Sequence, residues 1–327
     1  MENRILAGCS NAAPPLIDDI LRFEFGKRIV AVKNANGNDP WLGGHFPGNA
    51  IMPGAVMIEA GIQCVRWLFE QSGIDGEKYR FCRTINGRFS KPIFPGDRIV
   101  LDAQVESIAK TDVVTKLTFL VENEVRASGK LIFGDESSSK KKSEKIQGRV
   151  TGINKNIDTG DIDTIWQNIA GIQSAAKKNV YGFNELRQLL PQQEPFIFVD
   201  RVCDLREGKS ILCLKNVSAA ETWCYARCSG QRPCLAEPIV LEALAQASIL
   251  LVFYSYPKYR NNVAVFSSIY GELTQSVQAG EQLILIASIQ KIISVGGVVN
   301  VKAVKDDQAI CSANMVFGII DRNGKMG

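Results

Sequence analysis

The two ends of this chain repeat each other, and that restricts its architecture more than any composition value does. Gly26-Lys27-Arg28-Ile29, followed by Val32-Lys33-Asn34, returns 182 residues later as Gly208-Lys209-Ser210-Ile211 and Leu214-Lys215-Asn216. Ile58-Glu59-Ala60 returns 183 residues on as Leu241-Glu242-Ala243, and Gln63 and Gln246 keep that spacing. Pro95-Gly96-Asp97 matches Ala279-Gly280-Glu281 at 184. Loop insertions leave such a drift of two residues, whereas chance matches would not stay so nearly in register. A duplicated and fused unit is expected, and 327 residues suffice for two ordinary cores.

Both blocks follow one pattern. Short extended runs come first: Arg28–Lys33 in one, Phe196–Val202 and Ser210–Val217 in the other. A mainly apolar helix follows (Val56–Phe69; Ile239–Tyr254), apolar nearly all round and so expected to be buried. Each block closes on alternating runs suited to an antiparallel meander: Arg98–Ile108, Val113–Val121 and Val125–Phe133, then Gln282–Ile292, Val298–Val304 and Ala309–Ile319. A sheet around a central helix is an α+β arrangement. Residues 135–160 are polar and rich in Ser, Lys and Gly, as a linker would be. The spacing over Asp161–Lys178 predicts a helix. The expected division is a first domain over 1–134, a linker over 135–179 and a second domain over 180–327.

Composition excludes several classes. Hydrophobic residues at 46% and charged residues at 22% suit a globular protein. A net charge of +4, with no basic stripe interleaved with aromatics, gives no footprint for nucleic acid. No run of about 18 uninterrupted apolar residues predicts a membrane span, and Met1 to Ala7 does not read as a signal peptide. A cytoplasmic protein is expected. The nine cysteines are an odd number, and Cys64, Cys203, Cys213 and Cys311 sit singly in apolar runs, as reduced core thiols do.

One run carries chemistry: GGHFPGNAIMPGAVMIEAGIQ, residues 43–63. His45 is the chain's only histidine. Pro47-Gly48 and Pro53-Gly54 impose a tight, irregular path, and Gly54 stands just before the buried helix, where free backbone N–H groups can face a ligand. Glu59 and Gln63, four residues apart, share a face of that helix. A carboxylate on a buried apolar helix is costly unless it has a task or a partner.

This run resembles the signature of the β-hydroxyacyl-(acyl-carrier-protein) dehydratases of fatty-acid synthesis, in which HFPG, MPG and EA-x-x-Q recur at this spacing. The second block resembles the same family through Leu189-Leu190-Pro191, then Pro195 to Val202, and through Leu241 to Gln246. The resemblance implies two hot-dog domains forming a double hot-dog pseudo-dimer. It also implies active sites between units, each taking its histidine from one and its acid from the other. Here the second block has lost a partner. Cys228, fourteen residues before Glu242, stands where His45 stands fourteen before Glu59, and Leu235-Ala236-Glu237 replaces the MPG. The resemblance therefore pairs His45 with Glu242 and leaves Glu59 facing Cys228 across a degenerate second site. Dehydratase domains of polyketide synthases, also double hot dogs, divide the pair in this way.

Elimination of water needs a base for the α-proton and an acid for the leaving hydroxyl. Neutral His45, with an ordinary pKa near 6.5, serves as the base. Glu242, raised by burial, serves as the acid. The Gly54 N–H would stabilise the enolate-like oxygen, an effect worth about 3 kcal/mol in comparable sites, and Gln246 would orient Glu242 or the hydroxyl. No metal or organic cofactor is required. The expected substrate is a thioester of acyl carrier protein or coenzyme A, and fused units could assemble further as homo-oligomers. A hot-dog thioesterase and a non-catalytic acyl-binding or docking protein are the competing readings. Cys224, Cys228 and Cys234 lack the usual zinc spacing, and nothing in the sequence marks Cys228 as a nucleophile.

Overall fold

The computed structural model describes residues 14–76, 78–79, 81–134, 176–226 and 232–321. Cys228, the segment read as a linker and nearly all of the helix predicted over Asp161–Lys178 lie outside them.

Residue alternation becomes strand pairing in both halves. The first half holds β1 (Asp19–Glu24), β2 (Arg28–Asn34), helix α1 (Gly54–Gln71), β3 (Phe81–Phe89), β4 (Arg98–Ile108), β5 (Asp112–Val121) and β6 (Glu124–Gly134). The second holds α2 (Phe183–Leu189), β7 (Arg201–Arg206), β8 (Ser210–Asn216), β9 (Cys224–Tyr225), β10 (Cys234–Leu235), α3 (Glu237–Ser255), β11 (Asn262–Leu273), β12 (Val277–Gln278), β13 (Gln282–Ile293), β14 (Gly296–Lys305) and β15 (Gln308–Asp321). In β5, Val113, Thr115, Leu117, Phe119 and Val121 all turn inward, the period of two that a half-buried strand requires. Glu122 and Asn123 join β5 to β6, and Asp306 and Asp307 join β14 to β15. All four have positive φ, the signature of a two-residue turn that matches the twist of a hairpin.

The strands form one twelve-stranded sheet in the order β1-β2-β4-β5-β6-β3-β11-β15-β14-β13-β8-β7. Its second half mirrors its first, as the repeat requires. At the seam, β3 and β11 pair antiparallel about Asn86 and Tyr270, with Ile85 opposite Gly271 and Gly87 opposite Ile269. Each pair maps onto the other under the 184-residue offset. The two halves therefore meet as two copies meet across a two-fold axis.

Helix α1 lies against β2 and β4, α3 against β8, β13 and β14, and the helices touch each other. The core gathers around them, with Val56, Ile62, Val65, Leu244, Leu250 and Phe253 fully enclosed. Among the described residues α3 is the one helix long and apolar enough to cross a membrane; 83% of its apolar window is buried inside the protein. The described cysteines are free thiols, most of them buried.

Two sequence expectations need correction. Phe196–Val202 is not one strand: β7 begins at Arg201. The Phe198 N–H donates to Gln246 Oε1 (2.8 Å), and the Phe196 carbonyl accepts from Gln246 Nε2 (2.9 Å), so a side chain takes the bonds a neighbouring strand would make. The seam strands β3 and β11, the edge strand β1 and the short helix α2 were not foreseen.

Candidate active site

His45 sits in the irregular stretch leading to α1 and is 8% exposed. Its backbone carbonyl accepts from the Ile51 N–H (3.0 Å), and its ring Nδ1 lies 3.0 Å from the Ile51 carbonyl. A carbonyl can only accept, so Nδ1 carries the proton and Nε2 presents a lone pair. The ring stacks on Phe46 (4.0 Å between centroids) and meets the edge of Phe196 from the second half at 5.3 Å. Burial lowers its pKa to about 4, well below the ordinary value expected from sequence. The imidazole is neutral over the whole physiological range.

Glu242 lies on α3, one turn before Gln246, whose Nε2 donates to Glu242 Oε1 at 3.0 Å. The Gln192 side chain also favours the charged form of Glu242. Burial nevertheless dominates and raises Glu242 to about 7. Its carboxyl can therefore carry a proton near neutrality and still release it.

Two continuous paths of contact join His45 to this acid. In one, the His45 ring touches Phe196, whose carbonyl accepts from Gln246, which donates to Glu242. In the other, the Gly44 carbonyl accepts from the Gln193 N–H (2.9 Å), next to Gln192. That approach demands glycine, since a Cβ at position 44 would stand 2.2 Å from the Gln193 carbonyl oxygen. Gly54 opens α1 with no side chain capping it, and its α-carbon faces the Phe89 ring so closely that a Cβ would come within 2.8 Å. The start of α1 is tied to His45 through Ile51, bringing unfilled N–H groups beside the imidazole loop.

The second position is built from the same frame with different contents. Gln63 donates to Glu59 (3.3 Å) and to the Pro14 carbonyl (3.2 Å), and accepts from the Leu16 N–H (3.1 Å), as Gln246 does with Glu242, Phe196 and Phe198. Glu59 is fully buried, and burial raises its pKa. The Tyr225 hydroxyl donates to Glu59 Oε1 across the two halves. Glu237, the counterpart of Gly54, is 1% exposed and accepts from Arg66 and from the Cys82 N–H, each at 3.1 Å. A carboxylate, a guanidinium and a phenol thus occupy the surroundings of Glu59. Burial drives the Tyr225 hydroxyl well above its ordinary range, so it remains a donor and not a base.

Sequence reasoning named His45, Glu242, Gln246, Gly54 and Glu59, and also Cys228, which lies outside the described residues. It missed Gln192, Tyr225, Arg66 and Glu237. Of these, only Glu237 carried a sequence signal, as an acid standing where the repeat has glycine.

A family profile described as a FabA-like domain matches residues 14–134. The 3-hydroxyacyl-(acyl-carrier-protein) dehydratase FabZ of a Hydrogenobaculum species is 40% identical over 120 residues, spanning 36% of this chain and 81% of that protein. The enzyme of the same name from Caldanaerobacter subterraneus is 35% identical over 119 residues, 36% and 84% of the two chains. Among solved structures, the dehydratase domain of a mycocerosic acid synthase-like polyketide synthase aligns with a TM-score of 0.58 at 13% identity, over 96% of this chain and 98% of that one. The acyl-CoA thioesterase II TesB2 of Mycobacterium marinum aligns at 0.51 and 10% identity, over 94% and 97%. At such identities both speak for the fold, two hot-dog units across nearly the whole chain.

Proposed function

The chain belongs to the FabA-like family of 3-hydroxyacyl-thioester dehydratases, and from that premise we propose that His45 of its first half and Glu242 of its second form one active site acting on acyl-carrier-protein thioesters. The observation that carries this pairing lies at the other position. There Tyr225, at the end of the short strand β9 that leads into the second half's counterpart of the His45 loop, reaches Glu59 on the helix of the first. The halves are related by a pseudo-two-fold, so the loop of the first half is to be paired with the helix of the second. The paths of contact from His45 to Glu242 agree with it.

In this reading the His45 Nε2 lone pair removes the α-proton. The Cα–H electron pair forms the double bond, the Cβ–O bond breaks, and Glu242 gives its proton to the departing hydroxyl, which leaves as water. A proton passing from imidazolium back to carboxylate resets the pair. Both groups enter the elimination uncharged, which suits an imidazole packed between Phe46 and Phe196. Backbone N–H groups at the start of α1, Gly54 first, would hold the thioester oxygen as negative charge gathers on it. Glu59 has no imidazole to work with, because the chain contains no second histidine.

The units are read as residues 1–134 and 180–327, with 135–179 connecting them, and the place of action as the cytoplasm. A coenzyme A thioester would present the same reacting atoms and serves as the assay substrate. Hydration of crotonyl-CoA, followed by loss of enoyl absorbance, tests the proposal. The wild-type chain is expected to consume the enoyl thioester without releasing thiol, and His45→Ala to lose the activity. Thiol release without hydration, or an active His45→Ala variant, would overturn it.

A further inference from the structure

Gln192 lies between Pro191 and Pro195, beside the residue whose N–H donates to the Gly44 carbonyl next to His45, and near Glu242. It is 2% exposed, and its side-chain amide lies near enough to Glu242 to favour that group's charged form. Its backbone is held firmly. The Gln193 side chain donates to the carbonyls of Arg187 (2.9 Å), Leu190 (3.3 Å) and Gln192 itself (2.8 Å), while the Gln193 N–H donates to the Gly44 carbonyl beside His45. The backbone that carries the Gln192 amide is therefore fixed against the His45 loop.

One atom of that amide is unaccounted for. Gln192 Oε1 is buried and has no hydrogen-bond partner among the described residues. Proteins seldom leave a buried acceptor orphaned, and such an atom beside a catalytic acid calls for a partner that arrives with the ligand. The chemistry supplies one. When Glu242 directs its proton to the β-oxygen, the hydroxyl keeps its own hydrogen, which needs an acceptor. The water produced carries two. The Phe196 ring that meets His45 offers no acceptor of that strength.

We propose that Gln192 binds the β-hydroxyl of the substrate and the water it becomes: its amide nitrogen holds Glu242, and Oε1 accepts the hydrogen that the hydroxyl retains. The proposal rests on Glu242 being the acid. The step balances without any further reactant. The Cβ–O pair leaves with oxygen, that oxygen takes the Glu242 proton, and Gln192 exchanges hydrogen bonds only.

The test measures dehydration of 3-hydroxybutyryl-CoA by the full chain across pH. Gln192→Met keeps the length of the side chain and removes both polar atoms. Its kcat is expected to fall about tenfold to hundredfold, with KM changed far less. Because Glu242 loses a donor that favours its charged form, the alkaline limb of the profile is expected to move to higher pH. Gln192→Glu keeps an acceptor and regains a donor only when protonated, so its activity should recover as pH falls while Gln192→Met stays slow. Wild-type kcat in Gln192→Met, or equal slowing of both variants at every pH with the limb unmoved, would overturn the proposal. Should Gln192→Met not fold, a pH profile of Gln192→Glu that parallels the wild type would overturn it alone. An active His45→Ala chain would instead refute the catalytic pairing, so the two failures are told apart.

Discussion

Replacing Glu242 by glutamine should make the protein more stable and inactive at once, and the stabilisation should depend on pH. The folded chain holds this carboxyl at about 7 against an ordinary 4.5, with burial the leading cause and the side chains of Gln246 and Gln192 opposing it. At about 1.4 kcal/mol per pH unit, the distance from 4.5 to 7 comes to about 3 kcal/mol. The sign follows from proton binding. Between these pH values the folded protein keeps a proton that the unfolded chain has released, so stability falls as pH rises through that window and levels off above it. Glutamine never ionises and still accepts the bond from Gln246. Glu242→Gln is therefore expected to gain about 3 kcal/mol at pH 8 and to keep little of that gain at pH 5. Urea unfolding at the two pH values, with unchanged slope, measures it. An equal gain at both pH values, or a loss at pH 8, would refute the reasoning.

Two further outcomes follow from the same geometry. The pH profile of kcat/KM for dehydration should be bell-shaped, falling below about pH 4 as His45 gains a proton and above about pH 7 as Glu242 loses one; a profile still rising at pH 9 would contradict it. Gly44→Ala places a Cβ against the Gln193 carbonyl oxygen, and should cost about 1–3 kcal/mol of stability. It should cost about a hundredfold in kcat through displacement of the neighbouring imidazole; unfolding midpoints and steady-state rates check both.

Much of the fold was legible because the meander strands obey a period of two within one continuous core. Arg98–Ile108 was read with both ends correct, and the other closing runs to within two residues. The seam strands were not legible. In Phe81–Phe89 a charged Arg83 and a Gly87 without side chain stand at the same alternate positions as Phe81 and Ile85, which blurs the alternation, and the partner that makes the segment a strand, β11, lies in the other half. The run from Phe196 was misread for the opposite reason: it looks like a strand, but Gln246 takes its backbone groups. His45 and Glu242 could be picked out because a motif and a repeat register mark them. Gln192, Tyr225 and Arg66 act through contacts between segments far apart in the chain, and no spacing encodes those. The pKa of His45 was out of reach for a similar reason, since Phe46 and Phe196 close over the ring only after folding.

Turnover depends above all on which glutamate answers the single histidine. The most direct measurement compares dehydration rates of Glu59→Gln and Glu242→Gln in the full chain, with unfolding midpoints taken alongside. Loss of turnover in Glu242→Gln with much of it kept in Glu59→Gln is the predicted result. An active Glu242→Gln and a dead, folded Glu59→Gln would contradict it.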